Sequence, residues 1–485
     1  MAIQKITMPR ADFIVEANAV VGGGHLARCA TLAETLARFG WRTRLRTECD
    51  PAIILPRAAS AFCDWRQGTG PDEPCELAVF DGYEIDERLE QSWGPVAGRR
   101  VVIDDLADRP HDAELLLDAT PGRKQGDYSQ LVPHGARVLT GAKYAILRPT
   151  WSMISSRRMR EEPGNLRTVI VAIGATDPRD VTSLVLTAVL IAVPGAKIFA
   201  ILGKGAPHLS AVRVRFSGIV DVLVDPDDYD ERVATADLVI GAAGSSALER
   251  ACVGVPSITC VTAANQVKMA EELSRLGVTK VLRESEWQDH EKLVQVVCSL
   301  KNDSQLRQQF SKRGRELVDG RGALRVAVAA VAHRTSGCSL RLFERSDSDW
   351  LFALQCMRET RRFARTPDIP TPAQHKTYAD SVLASDSRLL LIVERDGRAL
   401  GYVRLDRGPE ETAEVSIAIH PAWHGQGVGH DALELLRALA PGLRFRAFVK
   451  FENCASSALF AKAGYIAAMQ TDGGLWLESD PHDRL

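Results

Sequence analysis

Glycine-rich turns carry most of the chemistry this sequence can do. Gly22-Gly23-Gly24-His25 lies between an apolar run and a helix-like segment. Glycines allow a tight turn and close approach of a ligand. A helix starting behind them offers unpaired N–H groups and a partial positive charge to a phosphate. An imidazole in such a turn can work as general acid or base near neutral pH; the competing reading is a histidine that caps the helix. Two later apolar runs end in polar tips, Asp81-Gly82-Tyr83 and Asp104-Asp105. Such tips position substrates, although an Asp pair also caps a following helix. Gly174-Ala175-Thr176 and Gly244-Ser245-Ser246 can give N–H and hydroxyl donors to a diphosphate. Far along the chain, His424-Gly425-Gln426-Gly427-Val428-Gly429 again joins a strand-like run to a helix-like one.

These turns need a scaffold that aims them. FIVEANA (13–19), WRTRLRT (41–47), ELAVFDGY (76–83) and RRVVIDDLAD (99–108) read as strands, with a helix from Leu26 to Phe39. Strands alternating with helices predict a parallel sheet covered on both faces, with ligands at the C-terminal strand ends. SSRRMREEPGNLR (155–167) reads as a linker to a second such lobe, built on TVIVAIGATD, KIFAILGKG and DLVIGAAGSSALE. HRTSGCS (333–339) reads as a second linker. Beyond it the pattern becomes α+β, with a hairpin turning at Asp396-Gly397. The expected fold is α/β: two Rossmann-like lobes of glycosyltransferase-B-like form over 1–155 and 166–332, then an α+β domain with a central mixed sheet over 339–482.

Bulk composition agrees. A chain of 485 residues implies roughly two to four domains. It is 45% hydrophobic and 25% charged, which is ordinary for a globular protein. A net charge of −2 gives no global field to hold nucleic acid or an anionic membrane. The 10 cysteines form no CxxC pair and no zinc-finger spacing, so free thiols in a reducing cytoplasm are expected. MAIQKITMPR lacks the apolar segment of a signal peptide, and no apolar run reaches the roughly 18 residues that span a bilayer. No dedicated carboxylate cage for a metal stands out beyond Asp104-Asp105.

VGGGHLARCATLAETLARFGWRTRL resembles the opening of the UDP-sugar hydrolases of pseudaminic acid biosynthesis, as do LRPTW (147–151), IGATD (173–177) and AAGSSALERACVGVPSITCVTAANQ (242–266). The resemblance covers roughly residues 1–330. It implies release of UDP from UDP-2,4-diacetamido-2,4,6-trideoxy-β-L-altrose by water, with His25 catalytic and no metal. It also implies that Glu249 accepts the ribose hydroxyls and that Asn265 and Gln266 face the sugar. Otherwise Glu249 is an exposed helix charge and Asn265-Gln266 an ordinary turn. Gly22, Gly23, Gly24, Asp81, Tyr83, Asp105, Gly174, Thr176, Gly244, Ser245 and Ser246 complete the expected UDP-sugar site.

VSIAIHPAWHGQGVGHDALELL (415–436) resembles motif A of GNAT acetyltransferases, and FENCASSALFAKAGY (451–465) their motif B. This implies acetyl-CoA as co-substrate. It would be held by Ile417, Ile419, His424, Gly425, Gln426, Gly427, Val428, Gly429, Asn453 and Phe460. His424 replaces the usual Arg or Gln. Phe460 replaces the usual tyrosine acid, which leaves water, Ser456 or Ser457 to protonate the departing thiolate. Glu414, His420 and His375 are alternatives for the base; RRFARTPDIPTPAQH (361–375) is similar to the acceptor-side loop of sugar-amine acetyltransferases. Together the resemblances imply a bifunctional enzyme that acetylates the 4-amine of a UDP-sugar and then hydrolyses the product. A glycosyltransferase, or a hydrolase carrying a CoA-sensing domain without turnover, are the alternatives.

Overall fold

The computed structural model describes residues 8–17, 23–158, 165–332, 337–385 and 387–479. The first lobe is a sheet of seven parallel strands in the order β3-β2-β1-β4-β5-β6-β7. Its strands are β1 (Arg10–Val15), β2 (Arg42–Thr47), β3 (Asp64–Gln67), β4 (Leu77–Asp81), β5 (Arg100–Ile103), β6 (Leu115–Asp118) and β7 (Arg137–Thr140). Central β4, LAVFD, is buried at every position, because helices cover both faces of a parallel sheet. Helix α1 (Gly24–Ala37) follows β1. β1 ends earlier than the apolar run suggested, and residues 18 and 19 of that run lie outside the described residues.

The second lobe repeats the plan with six parallel strands, β10-β9-β8-β11-β12-β13. These are β8 (Thr168–Ala172), β9 (Lys197–Leu202), β10 (Asp221–Val224), β11 (Leu238–Ala242), β12 (Ser257–Cys260) and β13 (Lys280–Leu282). Helix α2 (Ser245–Val253) follows β11. In both lobes the strand order reverses beside the first strand. Such reversals open a crevice at the C-terminal strand ends. The first crevice opens between β1 and β4, the second between β8 and β11.

The third sheet is mixed, β14-β15-β16-β17-β18-β20-β19. It comprises β14 (Cys338–Leu342), β15 (Arg388–Arg395), β16 (Arg398–Arg407), β17 (Thr412–Ile419), β18 (Arg444–Val449), β19 (Ile466–Thr471) and β20 (Gly474–Ser479). Asp396 and Gly397 both take positive φ, 51° and 73°, as the tight β15–β16 hairpin requires. β17 and β18 alone are parallel, and their pairing stops at Glu414↔Arg446. Beyond that point the two strands diverge.

Helix α3 (Gly322–Val331) falls within the span expected for the second lobe, yet it packs on the first lobe and on the third domain. Arg99 donates to the carbonyls of Ala329 and Ala330 at its C-terminus, 3.0 and 2.8 Å away. One apolar cluster runs unbroken from Phe13 and Leu36 through Val326 and Ala330 to Leu391 and Leu436. The first lobe and the C-terminal domain therefore share a core rather than hang on a free linker. The Trp41 indole donates to Leu439 O at 3.2 Å across this junction. Lys143 and Arg325 both pair with Glu344 there, at 3.1 and 3.3 Å.

Backbones meet closely at this seam. A Cβ on Gly442 would come within 2.7 Å of the Gly40 Cα. Gly442→Ala is expected to cost about 1–3 kcal/mol by overpacking. Chemical denaturation should show the first lobe and the C-terminal domain losing that stability together, in one transition.

Candidate functional site

The β1–β4 crevice gathers residues from distant parts of the sequence. α1 begins at Gly24 with Gly23 as its N-cap, and its first turn aims His25 and Arg28, three residues apart, at the tip of β4. His25 Nδ1 lies 2.6 Å from Asp81 Oδ1. The Arg28 guanidinium donates to both Asp81 oxygens at 2.6 Å and to both Asp105 oxygens at 3.0 and 2.8 Å. The Cys29 thiol adds a bond to Asp81 at 3.3 Å. Asp81 is fully buried. Burial by itself would raise its carboxyl; Arg28 and His25 outweigh that and hold it well below the usual range. With Nδ1–H donating to a fixed carboxylate, Nε2 is the basic nitrogen of His25.

The Tyr83 ring stands edge-on to His25, with centroids 4.7 Å apart. Its hydroxyl accepts a bond from Asn265 of the second lobe at 3.2 Å, so the two lobes touch at this site. Burial, then Asp105, pushes the Tyr83 phenol up, and it stays a neutral hydroxyl. Glu16 accepts from the Tyr83 and Glu84 amides at 2.7 and 3.0 Å and fixes the loop. Gly82 is required there, since a Cβ would strike Glu16 at 2.5 Å. The Asp104-Asp105 pair divides its duties. Asp104 turns inward to the Ala107 amide, Tyr128 and Arg109, at 2.7, 2.7 and 3.1 Å, while Asp105 faces Arg28.

The second lobe presents its own turns at the β8–β11 crevice. Gly174 has φ 153° and open space around it. Thr176 and Ser245 are exposed, and α2 starts at Gly244 without a side-chain cap, which leaves its first N–H groups for a ligand. Arg250 is buried beneath the turn and donates to Ala242 O at 2.8 Å, Ser246 Oγ at 3.2 Å and Thr259 Oγ at 3.3 Å. A Cβ on Gly241 would meet this guanidinium at 2.6 Å. Glu249 is half-buried: burial pushes its carboxyl up, while Arg148 and Arg250 pull it back. Gln266 turns its carbonyl oxygen to the amide and hydroxyl of Thr262 (3.0 and 3.1 Å), whereas neighbouring Asn265 reaches across the cleft. Gly22 lies outside the described residues; Gly23 and Gly24 open α1.

In the C-terminal domain the glycine loop precedes helix α6, whose range is Val428–Leu439; the two longer helices before it in this domain are α4 (Ser348–Cys356) and α5 (Pro372–Leu383). Gly425 and Gly427 take φ 74° and 79° with nothing within 4 Å of an added Cβ. α6 has no side-chain cap. This cradle fits a diphosphate: open space, permissive backbone and bare helix N–H groups. His424 Nε2 is held at 2.9 Å from Ile419 O, which leaves the backbone of the loop as its ligand-facing part. Ile417 and Ile419 lie where β17 leaves β18. That opening suits an extended pantetheine chain. Asn453 caps helix α7 (Cys454–Lys462) by accepting from Ser456 N at 3.2 Å. Phe460 is 3% exposed and packs on Tyr465.

The base candidates differ in surroundings. His375 is buried, with Nε2 at 2.9 Å from Ser348 O and Nδ1 at 3.1 Å from Gln355 Oε1, and so it pins α5 to α4. His420 uses Nδ1 to accept from Ala422 N at 3.2 Å. Glu414 sits at the last paired position before the strands diverge, and is partly exposed. It pairs with Arg365 at 2.9 Å, and Arg365 lies over Phe448 and Trp476. Arg28, Glu16, Arg250 and Arg365 were missing from the sequence-based site. Arg28 had a signal, since i+3 from His25 shares its helix face. Arg250 had the same kind of signal, i+4 from Ser246 on one helix, whereas Glu16 and Arg365 reach the site only through folding.

Comparison with known proteins supports this layout. Residues 338–466 match the acetyltransferase (GNAT) domain family, and residues 168–319 match the glycosyltransferase family 28 C-terminal domain. The spore coat polysaccharide biosynthesis protein SpsG of Bacillus subtilis (strain 168) is 28% identical over 234 residues, spanning 44% of this chain and 68% of that protein. Among solved structures, the GNAT domain of S. lividans PAT is 26% identical, covering 29% of this chain and 89% of that one with a TM-score of 0.27. AAC(6')-Ib in complex with ribostamycin and coenzyme A is 17% identical over 30% of this chain and 93% of that one, TM-score 0.28. Acinetobacter baumannii MurG is 14% identical, covering 66% of this chain and 98% of that one, TM-score 0.47. The two family matches place a glycosyltransferase-type region ahead of a GNAT acetyltransferase domain in one chain. Among the described residues no helix is long and apolar enough to cross a membrane, and no group of three or more His, Cys, Asp or Glu is placed to hold a metal ion.

The Asp81 carboxylate has a lowered folded pKa, so its pairing stabilises the fold fully above the ordinary aspartate value near 4 and is lost as pH falls through the folded value. Asp81→Asn is expected to cost about 3–5 kcal/mol at pH 7, because it leaves Arg28 buried against a neutral amide. The gap to wild type should hold at pH 5 and narrow below pH 3 in denaturant titrations.

Proposed function

We propose that this chain is a bifunctional nucleotide-sugar enzyme of pseudaminic acid synthesis. Its GNAT domain acetylates the 4-amine of UDP-4-amino-4,6-dideoxy-N-acetyl-β-L-altrosamine with acetyl-CoA. Its glycosyltransferase-B-like region then hydrolyses the UDP-2,4-diacetamido-2,4,6-trideoxy-β-L-altrose formed. The observation that carries the hydrolytic half is the His25–Asp81 pair set beside Tyr83 and Asn265 in the interlobe cleft. The similarity to a spore coat polysaccharide biosynthesis protein supports work on a sugar precursor.

In the hydrolytic step His25 Nε2 takes a proton from water as its oxygen bonds to the anomeric carbon. The bond from that carbon to the UDP oxygen breaks, and UDP leaves with the electron pair. The N–H groups around Gly174–Thr176 and Gly244–Ser246 receive its negative charge. Glu249 takes the ribose hydroxyls, and Tyr83, Asn265 and Asp105 orient the sugar. In the acetyl step the sugar amine attacks the thioester carbonyl and the C–S bond breaks. Glu414 takes the amine proton through water, and solvent, Ser456 or Ser457 returns a proton to the CoA sulfur. His375, with both ring nitrogens engaged inside the protein, is left out of this step.

Mass spectrometry on the 4-amino UDP-sugar with acetyl-CoA tests the sequence of steps. UDP and free diacetamido sugar are expected. Acetylation without UDP release overturns the hydrolase, and UDP release without acetylation overturns the acetyltransferase. The match to a glycosyltransferase domain favours one second reading, transfer of the sugar to an acceptor other than water; labelled sugar recovered on an added acceptor would establish it. His25→Ala should cut UDP release by about 100-fold or more and spare acetylation.

Glu414→Gln should lower kcat for acetylation by about 100-fold and flatten its acid limb, with little change in KM for acetyl-CoA. A change confined to KM for the sugar would mean that Glu414 only holds Arg365.

A further inference from the structure

A crevice of about 260 Å³ lies where the first lobe, helix α3 and the C-terminal domain meet. Arg38 and Phe39 reach it from the end of α1, Arg321 and Leu324 from the start of α3, and Leu389 and Arg407 from β15 and β16. Its described lining holds three arginines and no Asp or Glu. Arg321 is only 8% exposed. The Arg407 guanidinium lies over the Phe39 ring, 5.1 Å from its centroid, and donates to Arg38 O. That contact fixes the group and engages one of its five N–H donors. Burial, with Arg38 adding to it, pulls Arg407 below the ordinary arginine value, and Glu411 offsets this only in part. Positive charge is therefore gathered here at a cost. The start of α3 lines the same crevice with Arg321 at its N-cap; Asp319, paired with Arg325, accepts from Arg321 N at 3.0 Å and offsets only part of the positive charge gathered with the helix end.

We propose that this crevice is a third binding site, for a small phosphate-bearing anion such as pyrophosphate, separate from both catalytic clefts. A multiply charged phosphate accepts from guanidinium groups and helix N–H groups together. The volume is below the roughly 300–1,000 Å³ of pockets for drug-sized ligands, which suits a phosphate or pyrophosphate better than a whole nucleotide sugar. The site also lies away from the chemistry. Arg38 is 13 residues along α1 from His25, about 20 Å at helical rise. Arg407 pairs with Ala413, six residues before the end of β17 and about 20 Å from the glycine loop. An anion held here touches all three units at once and ties α1 and α3 to the C-terminal sheet.

Isothermal titration of pyrophosphate into the full chain, with UDP and CoA saturating and ionic strength fixed, tests the site. Binding is expected to persist with both catalytic clefts filled. Arg38→Gln should weaken it about tenfold, the loss of one charge-assisted contact, and Arg38→Glu should weaken it further. The Arg38 side chain is exposed and its contact with Arg407 runs through its carbonyl, so these variants keep the seam. Arg407→Gln, checked for folding by circular dichroism, should weaken binding similarly. Loss of binding once UDP and CoA are present would overturn the proposal. So would equal affinity in wild type and Arg38→Gln. Citrate binding as tightly as pyrophosphate would overturn the phosphate assignment.

Discussion

One buried carboxylate organises the first lobe. Asp81 ends the central strand with no exposure to solvent, and a charge in that position must be paired or it destabilises the fold by several kcal/mol. Arg28 supplies a planar two-point partner and spans to Asp105, while His25 and the Cys29 thiol supply further hydrogen bonds. The helix that carries both is thereby locked in register on the sheet. The same contacts that satisfy the charge also choose the tautomer and direction of the imidazole. Fold stability and site geometry are one arrangement here, because strand-order reversal leaves room for a ligand only where this helix begins.

That helix has a second end, and it is equally constrained. Phe39, Gly40 and Trp41 meet the C-terminal domain, where Trp41 bonds to the last carbonyl of α6. α6 begins at the other glycine loop. Two helices that each start at a glycine-rich turn therefore finish against a common core, with α3 wedged between them. The first lobe and the C-terminal domain thus need no flexible tether, and the distance between their glycine turns is set by side-chain packing.

Much of this was legible beforehand. Asp81, Tyr83 and Asp105, near the tips of neighbouring strands, meet His25 at the start of α1. The glycine turns stand at the strand-to-helix junctions where the sequence put them, because φ preferences and hydrophobic periodicity act over a few residues. Side-chain direction was less legible. Gln266 bends to its own loop while Asn265 crosses the cleft, and nothing in an Asn-Gln pair distinguishes the two. His375 faces inward onto α4, some 20 residues or more before it, and Phe460 packs on nearby Tyr465 in the core; the direction of either ring is set by packing and not by its neighbours in sequence. The short strands β3, β6 and β7 also gave no clear alternation, since a four-residue strand is too short to show a period.

What the sequence determined by itself was local: two alternating α/β lobes, a meander with a tight Asp-Gly hairpin, and glycine turns able to hold diphosphates. Those features follow from residue propensities and periodicities within each segment. The tertiary structure decided the rest. It put Asn265 against Tyr83 across two lobes, set Arg250 under the second turn, returned α3 to the first lobe, and gathered Arg38, Arg321 and Arg407 around one crevice. Apart from Arg250, whose partners lie within nine residues, these depend on burying apolar faces and pairing polar groups between segments far apart in the chain. That choice belongs to the whole folded chain, where the cost of an unpaired charge or an exposed apolar face selects one packing over the others.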